Sequence, residues 1–384
     1  LFPLIVTPDA WQGLEDGVLQ RVKLLERIMA DVYGPQELLA HNLLPPALVH
    51  GHPGYLRAMH GAKPAGGSYL HIAAFDLARD PEGRWWVVSQ RTQAPSGLGY
   101  LLENRLITSR LFPEAFRELH VQRLAGTYRA LADALRAMSP REGATGDPRI
   151  VLLTPGPFNE TYFEHAYLAR YLGITLVEGS DLTVRGDRLF LKTLQGLEPV
   201  HGILKRLDDE FLDPLELRSD SHLGVPGLLQ AVRAGNVLVA NAPGSAFLES
   251  TGMLGFLPAL SRHLLGEELQ LPSLATWWCG ERAAMEAVLP QLAAGVIKPT
   301  YASPGMGAVL GKSLSRREVD EWAGRIVRES DEHTVQAYVA LSQMPTWKHG
   351  MGGDRILPRS FMLRVFAVAD GPQSWRVLPG GLTR

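Results

Sequence analysis

Cysteine is nearly absent. Cys279 is the one thiol in 384 residues, which excludes an internal disulfide and any cysteine-built metal cluster. A chain this long without a disulfide framework is expected in the cytoplasm. Cys279, in Ala275-Thr276-Trp277-Trp278-Cys279-Gly280, reads as a small buried hydrophobe. No apolar run reaches the roughly 18 residues that span a bilayer. The apolar opening Leu1-Phe2-Pro3-Leu4-Ile5-Val6 has no basic stretch or small-residue cleavage site, so it does not read as a signal peptide. An excess of one charge is also missing. Lys and Arg number 38 against 40 Asp and Glu, a net charge of −2, without the basic excess of a dedicated nucleic-acid or membrane-surface protein. Neither nucleic acid nor a membrane is an expected partner.

Apolar side chains are plentiful at 46%, enough for a large core, and the length suits two or three structural units. Leu19, Val22, Leu25, Ile28, Met29 and Val32 recur at helical spacing and predict a helix within 11–40, stopped by Tyr33-Gly34-Pro35. Residues 69–76 and 84–88 read as an antiparallel hairpin around Asp80-Pro81-Glu82-Gly83. Helical spacing returns over 114–138, and the polar stretch 139–148 reads as a linker. Arg149-Ile150-Val151-Leu152-Leu153-Thr154 is a continuous apolar strand, as in parallel sheets covered on both faces. A helix over 162–172 and a strand over 173–178 complete a βαβ unit. The alternation continues through Ile203-Leu204, a helix near 224–233, a strand over 236–240 and a helix over 253–265. From 295 the pattern becomes mixed α+β: a strand over 295–299, a Gly-rich turn at 303–307, a helix over 316–329, and strands near 334–342 and 360–369.

Several long motifs carry a resemblance. They include Ala94-Pro95-Ser96-Gly97 with Leu102-Glu103-Asn104-Arg105, Leu152-Leu153-Thr154-Pro155-Gly156 through Tyr162-Phe163-Glu164-His165, and Leu176-Val177-Glu178-Gly179. Further along stand Asp208-Asp209-Glu210-Phe211-Leu212-Asp213-Pro214-Leu215, Leu223-Gly224-Val225-Pro226-Gly227, and Leu378-Pro379-Gly380-Gly381-Leu382-Thr383-Arg384. Together they resemble the circularly permuted ATP-grasp proteins, related in fold to glutathionylspermidine synthetase. The resemblance implies an α/β fold of mixed α+β type, with a parallel-sheet middle domain. It divides the chain into an N-terminal permuted segment (1–138), an α/β substrate-type domain (149–270) and a nucleotide-binding subdomain (271–384). Relatives of this branch often continue into an all-helical domain. With an opening residue other than Met, both ends are therefore expected to continue in a longer protein.

The implied chemistry is ATP-dependent carboxylate–amine ligation, forming an amide or peptide bond through an acyl phosphate, with ATP and Mg²⁺ as cofactors and a small carboxylate or peptide as substrate. The resemblance makes Lys298 a phosphate contact and Gly305-Met306-Gly307 a shortened Gly-rich flap. Gln336 falls at the adenine-contacting hinge, and Arg364 on a strand that often supplies a basic phosphate contact. Asp76 would be a metal ligand. Fully equipped relatives end the hairpin with Glu-Asp-Asn, where this chain has Ser89-Gln90-Arg91. Mg²⁺ prefers carboxylate oxygens, whereas Arg91 brings a fixed positive charge suited to phosphate. Ser96 and Arg105 belong to a polar cluster fit for a phosphate or carboxylate. Asn159, Glu164 and Glu178 gather near βα connections, where parallel sheets bind ligands, and are expected to hold the acceptor substrate. Two readings follow: a ligase, or a degenerate module that binds nucleotide, peptide or a partner domain without turnover.

Overall fold

The structure, a computed structural model, describes residues 2–141, 146–301, 307–349 and 353–384. In chain order, β1 (Ile72–Arg79) and β2 (Trp85–Arg91) come first. They are followed by β3 (Ile150–Leu153), β4 (Thr175–Val177), β5 (Leu182–Arg185), β6 (Arg188–Thr193), β7 (Gly196–Val200), β8 (Gly202–Lys205) and β9 (Leu238–Ala240). The last group is β10 (Thr276–Trp278), β11 (Gly295–Pro299), β12 (Val309–Leu310), β13 (His333–Ala337), β14 (Gln343–Lys348), β15 (Arg355–Ser360), β16 (Met362–Gly371) and β17 (Ser374–Thr383).

The hairpin foreseen in the sequence is β1–β2. Its turn closes because the Asp80 carboxylate accepts from the Arg84 amide at 2.8 Å and from Trp86 Nε1 at 3.0 Å. Its free edge pairs with β16, giving a four-stranded sheet in the order β17-β16-β1-β2. Residues from the two ends of the chain thus share one sheet. The helix Pro8–Val32 lays Leu14, Val18, Val22, Leu25 and Met29 into the core. It ends at Val32, capped by Tyr33, where Tyr33-Gly34-Pro35 was expected to stop it. A left-handed Gln36 (φ 58°) then leads into the separate short helix Glu37–Ala40. The helix expected over 114–138 is likewise two pieces, Pro113–Glu118 and Ala125–Met138, broken at the left-handed His120 (φ 50°).

The middle of the chain forms a parallel sheet in the order β4-β3-β8-β9, with Tyr162–Leu172 as the crossover helix between β3 and β4. Beside it lies an antiparallel meander, β5-β6-β7. Asn241, just past β9, joins this sheet to the first. Its Oδ1 accepts from the His71 and Ile72 amides, and its Nδ2 donates to the Ile72 carbonyl at 2.7 Å.

A third sheet, β10-β13-β11-β12, is built on its own apolar cluster, which includes Cys279, Val288, Leu292, Ile297, Ile326 and Val335. Burial pushes the Cys279 thiol up to about 11, as expected of a packing residue. This sheet meets the first along β2. The Val87 amide donates to the Pro272 carbonyl, the Leu274 amide to the Val87 carbonyl, and Gln336 Nε2 reaches the Val88 carbonyl at 3.4 Å. Among the described residues, no helix is long and apolar enough to cross a membrane.

Candidate functional site

Strand register decides which side chains meet between the two sheets. Residues paired directly across strands share a face. Asp76 pairs with Ser89 on one side and Arg364 on the other, and Ala74 pairs with Arg91. Asp76, Ser89, Arg91 and Arg364 therefore project from one face. Gln90 projects from the other, where its Nε2 donates to the Leu248 carbonyl at 2.7 Å.

Asp76 is the hub. Arg364 donates Nε to Oδ1 at 2.8 Å and Nη2 to Oδ2 at 3.0 Å. Ser89 Oγ donates to Oδ2 at 2.7 Å, and Arg384 Nη2 donates to the same oxygen at 3.0 Å. Burial alone would raise the Asp76 pKa. The hydrogen bonds and charge of Arg364, with help from Ser89 and Arg384, outweigh it and hold the carboxyl below its usual range. Arg364, expected as a phosphate contact, has all three guanidinium nitrogens on protein acceptors, since its Nη1 takes the Ser96 carbonyl at 3.0 Å.

Lys298 approaches from the β10-β13-β11-β12 sheet. It and Gln336 lie diagonally across the β11–β13 pair, and its Nζ donates to Gln336 Oε1 at 2.6 Å. Gln336 Nε2 in turn reaches Thr276 Oγ1 at 3.2 Å. Burial, and then the charge of Arg91, push the lysine down to about 8, while Asp76 pulls the other way. Lys298 therefore lies close enough to Arg91 and Asp76 to feel both charges. Arg91 is 43% exposed and is tethered by Nη1 to Glu249 Oε2 at 3.2 Å. The other Glu249 oxygen accepts from the Thr92 and Gln93 amides, both at 2.6 Å.

The substrate-type candidates lie in a connected region. Glu164 is fully buried, and its Oε1 accepts from the Gly97 and Gly99 amides at 2.7 and 3.0 Å. Arg206 Nη2 donates to the Pro95 carbonyl at 2.6 Å. The loop at 94–97 is therefore gripped by Arg206 and Glu164 from the middle of the chain, and by Arg364 from the first sheet. Arg105 donates to the Gln122 and Pro379 carbonyls, a structural tie. Asn159 folds its Oδ1 onto the amide and hydroxyl of Thr161. Glu178 follows β4 and is exposed, with its carboxylate close to Gly156. His165 sits between Thr154 Oγ1 (2.9 Å) and Thr161 Oγ1 (3.0 Å), and burial pushes it down to about 3. It is a neutral core histidine. Gly305 and Met306 lie outside the described residues, and Gly307 is exposed.

Two participants were not among the residues singled out in the sequence. Arg384 appeared only as the end of a family motif, with no local signal of its side-chain role. Glu249 closes the 3-10 turn Ser245–Glu249 and points at the end of β2. Lys205 and Asp209 form a fully buried ion pair, and Asp209 Oδ2 also accepts from the Gly244 amide at 2.9 Å.

The model of the circularly permuted ATP-grasp type 2 family matches residues 3–384. The chain belongs to that family. An uncharacterized protein of Synechocystis sp. is 36% identical over 384 residues, covering 100% of this chain and 78% of that protein. An uncharacterized protein of Mycobacterium tuberculosis is 38% identical, covering 100% of this chain and 68% of its own length. Among solved structures, a glutathione synthetase-like effector from Globodera pallida, in its apo form, superposes with a TM-score of 0.65 at 14% identity. It covers 100% of this chain and 86% of that one. At that identity the likeness shows the ATP-grasp fold alone.

ATP-grasp chemistry brings both a polyphosphate and Mg²⁺, and the residues here suit them differently. Around Asp76 and Glu249 stand Arg91, Lys298, Arg364 and Arg384, four cations against two carboxylates. That excess fits phosphate. It does not fit a divalent cation, because among the described residues every side-chain hydrogen bond to the Asp76 carboxylate comes from a guanidinium or a hydroxyl. Among the described residues, no group of three or more His, Cys, Asp or Glu side chains is placed to hold a metal ion.

Proposed function

We propose that this ATP-grasp chain is a ligase-type module that binds ATP in the cleft between the two sheets, with the phosphates against Lys298 and Arg91 and the base toward β13. The observation that carries the reading is Lys298. It is a largely buried lysine, oriented by Gln336 and close to Arg91 and Asp76 where the two sheets meet. An ammonium held in low-dielectric surroundings is a strong anion contact.

In the ligation the family supports, a substrate carboxylate oxygen attacks the γ-phosphorus and ADP leaves. The amine nitrogen then attacks the acyl carbon, losing a proton as inorganic phosphate departs. Asn159 and Glu178, at the carboxyl ends of the parallel strands, mark the side from which a small acid or peptide would be held. The gripped loop at 94–97 lies between that side and the cation cluster.

A second reading, binding without turnover, is favoured by one observation. The Asp76 carboxylate, which would serve a metal, is occupied by Arg364, Arg384 and Ser89. Isothermal titration of ATP and ADP into the native chain and Lys298→Ala tests the shared core of both readings. Binding that weakens at least tenfold in the variant is expected. Equal binding by both proteins, or none by either, would remove the nucleotide assignment.

A further inference from the structure

We infer that the polyphosphate binds this site without a divalent cation, with Arg91 and Arg384 supplying the positive charge. The inference rests on the nucleotide reading above and concerns how the site neutralises its ligand.

The first observation is directional. Register puts residues 89 and 91 on the Asp76 face. The two positions from which β2 would present metal oxygens to the cleft therefore carry a hydroxyl already donated to Asp76 and a guanidinium. A metal at Asp76 would have to displace the paired guanidinium of Arg364, which is 7% exposed, and would sit beside two more arginines and a lysine. Like charges at such distances repel strongly in a partly buried site.

The second observation separates the cations by availability. Arg364 is committed on all three nitrogens. Arg384 is 46% exposed and, among the described residues, its guanidinium is anchored by Nη2 alone. Arg91 is 43% exposed and, among the described residues, its guanidinium is anchored by Nη1 alone. Both keep guanidinium edges toward solvent, and a guanidinium fork matches two phosphate oxygens.

The third is Glu249. It fills the two successive amides of Thr92 and Gln93 while pairing with Arg91. Adjacent backbone amides beside an arginine make an anion-binding concavity, and here an intrachain carboxylate occupies it. An incoming phosphate competes with Glu249 for Arg91, so Glu249 tunes affinity downward.

The test is titration of ATP and of inorganic triphosphate in EDTA and again in excess Mg²⁺. It uses the native chain, Arg91→Gln, Arg384→Gln and Glu249→Gln, with thermal unfolding confirming that each variant is folded. The expected result is binding in EDTA that Mg²⁺ leaves equal or weaker, because the metal shields the phosphates. Each arginine variant should lose tenfold or more, and Glu249→Gln should gain several-fold. The two exposed arginines are independent probes, so a folding defect in one leaves the other informative. Binding that appears only with Mg²⁺ overturns this inference and leaves the nucleotide reading standing. Triphosphate binding in EDTA without ATP binding supports the metal-free site and removes the nucleotide reading. No binding of either ligand overturns both.

Discussion

Arg364 grips Asp76 through two parallel hydrogen bonds, Nε to Oδ1 at 2.8 Å and Nη2 to Oδ2 at 3.0 Å, across the pairing of β16 with β1. The strands come from opposite ends of the chain, so this pair joins sequence positions 288 residues apart. Its acid is 1% exposed and its base 7%. Two buried charges hold their place in such a setting only when matched.

Removing the acid should therefore be costly. Asp76→Ala leaves Arg364 buried and unpaired, and a loss of about 3–5 kcal/mol is expected, read as a lower midpoint in urea denaturation. The folded-state pKa of Asp76 lies below the unfolded value of about 3.9. Its contribution is then complete above about pH 4 and is lost as pH falls through the folded value. Acid titration of stability should be shallower in the variant.

Lys298 makes a prediction at the other end of the pH scale. With its pKa pushed down to about 8 by burial and Arg91, the ammonium is charged at pH 7 and neutral at pH 9. ATP affinity should fall across that interval. Lys298→Arg, whose charge persists, should bind with a flatter pH profile. A native profile flat from pH 7 to 9 would contradict the assignment of this amine to the phosphates.

The parallel sheet was legible in the sequence. Ile150–Leu153 is an unbroken apolar run, and the helix Tyr162–Leu172 carries its own periodicity. The β5-β6-β7 meander went unread, although a signal was present. Gly186 and Asp187, both at positive φ (52° and 58°), join Arg185 to Arg188 in the two-residue turn that Gly-Asp favours. Asp76, Lys298, Arg364 and Gln336 were singled out through the family resemblance, and the structure brings their side chains near one another. No local pattern announces that Arg384 reaches Asp76 or that Glu249 caps the end of β2. Both contacts join segments distant in sequence, and only register and packing bring them together.

Glu164 tests how the loop at 94–97 is held. Its carboxylate satisfies the Gly97 and Gly99 amides at the start of the helix Leu98–Leu111. Glu164→Ala strands those donors and should cost about 1–3 kcal/mol. Faster hydrogen exchange of the two amides is the local readout. Unchanged protection there would show that something else holds the loop.

Face parity also predicts how to build a metal site beside Asp76. Ser89→Glu with Arg91→Asn places two oxygen ligands on the Asp76 face, while Gln90 keeps its bond to Leu248 on the other. The double variant should show ATP binding that strengthens with Mg²⁺, measured by titration. Altering Gln90 to Asp in addition should only destabilise, because that position is buried with its amide donating to the Leu248 carbonyl, which a carboxylate cannot do.

The most direct test of the account is a crystal structure of the chain grown with a non-hydrolysable ATP analogue in EDTA. The account predicts the terminal phosphates within hydrogen-bond distance of Lys298 Nζ and the Arg91 guanidinium, with Asp76 still paired to Arg364. Phosphates bound elsewhere, or an Asp76 freed from Arg364 and turned toward the ligand, would contradict it.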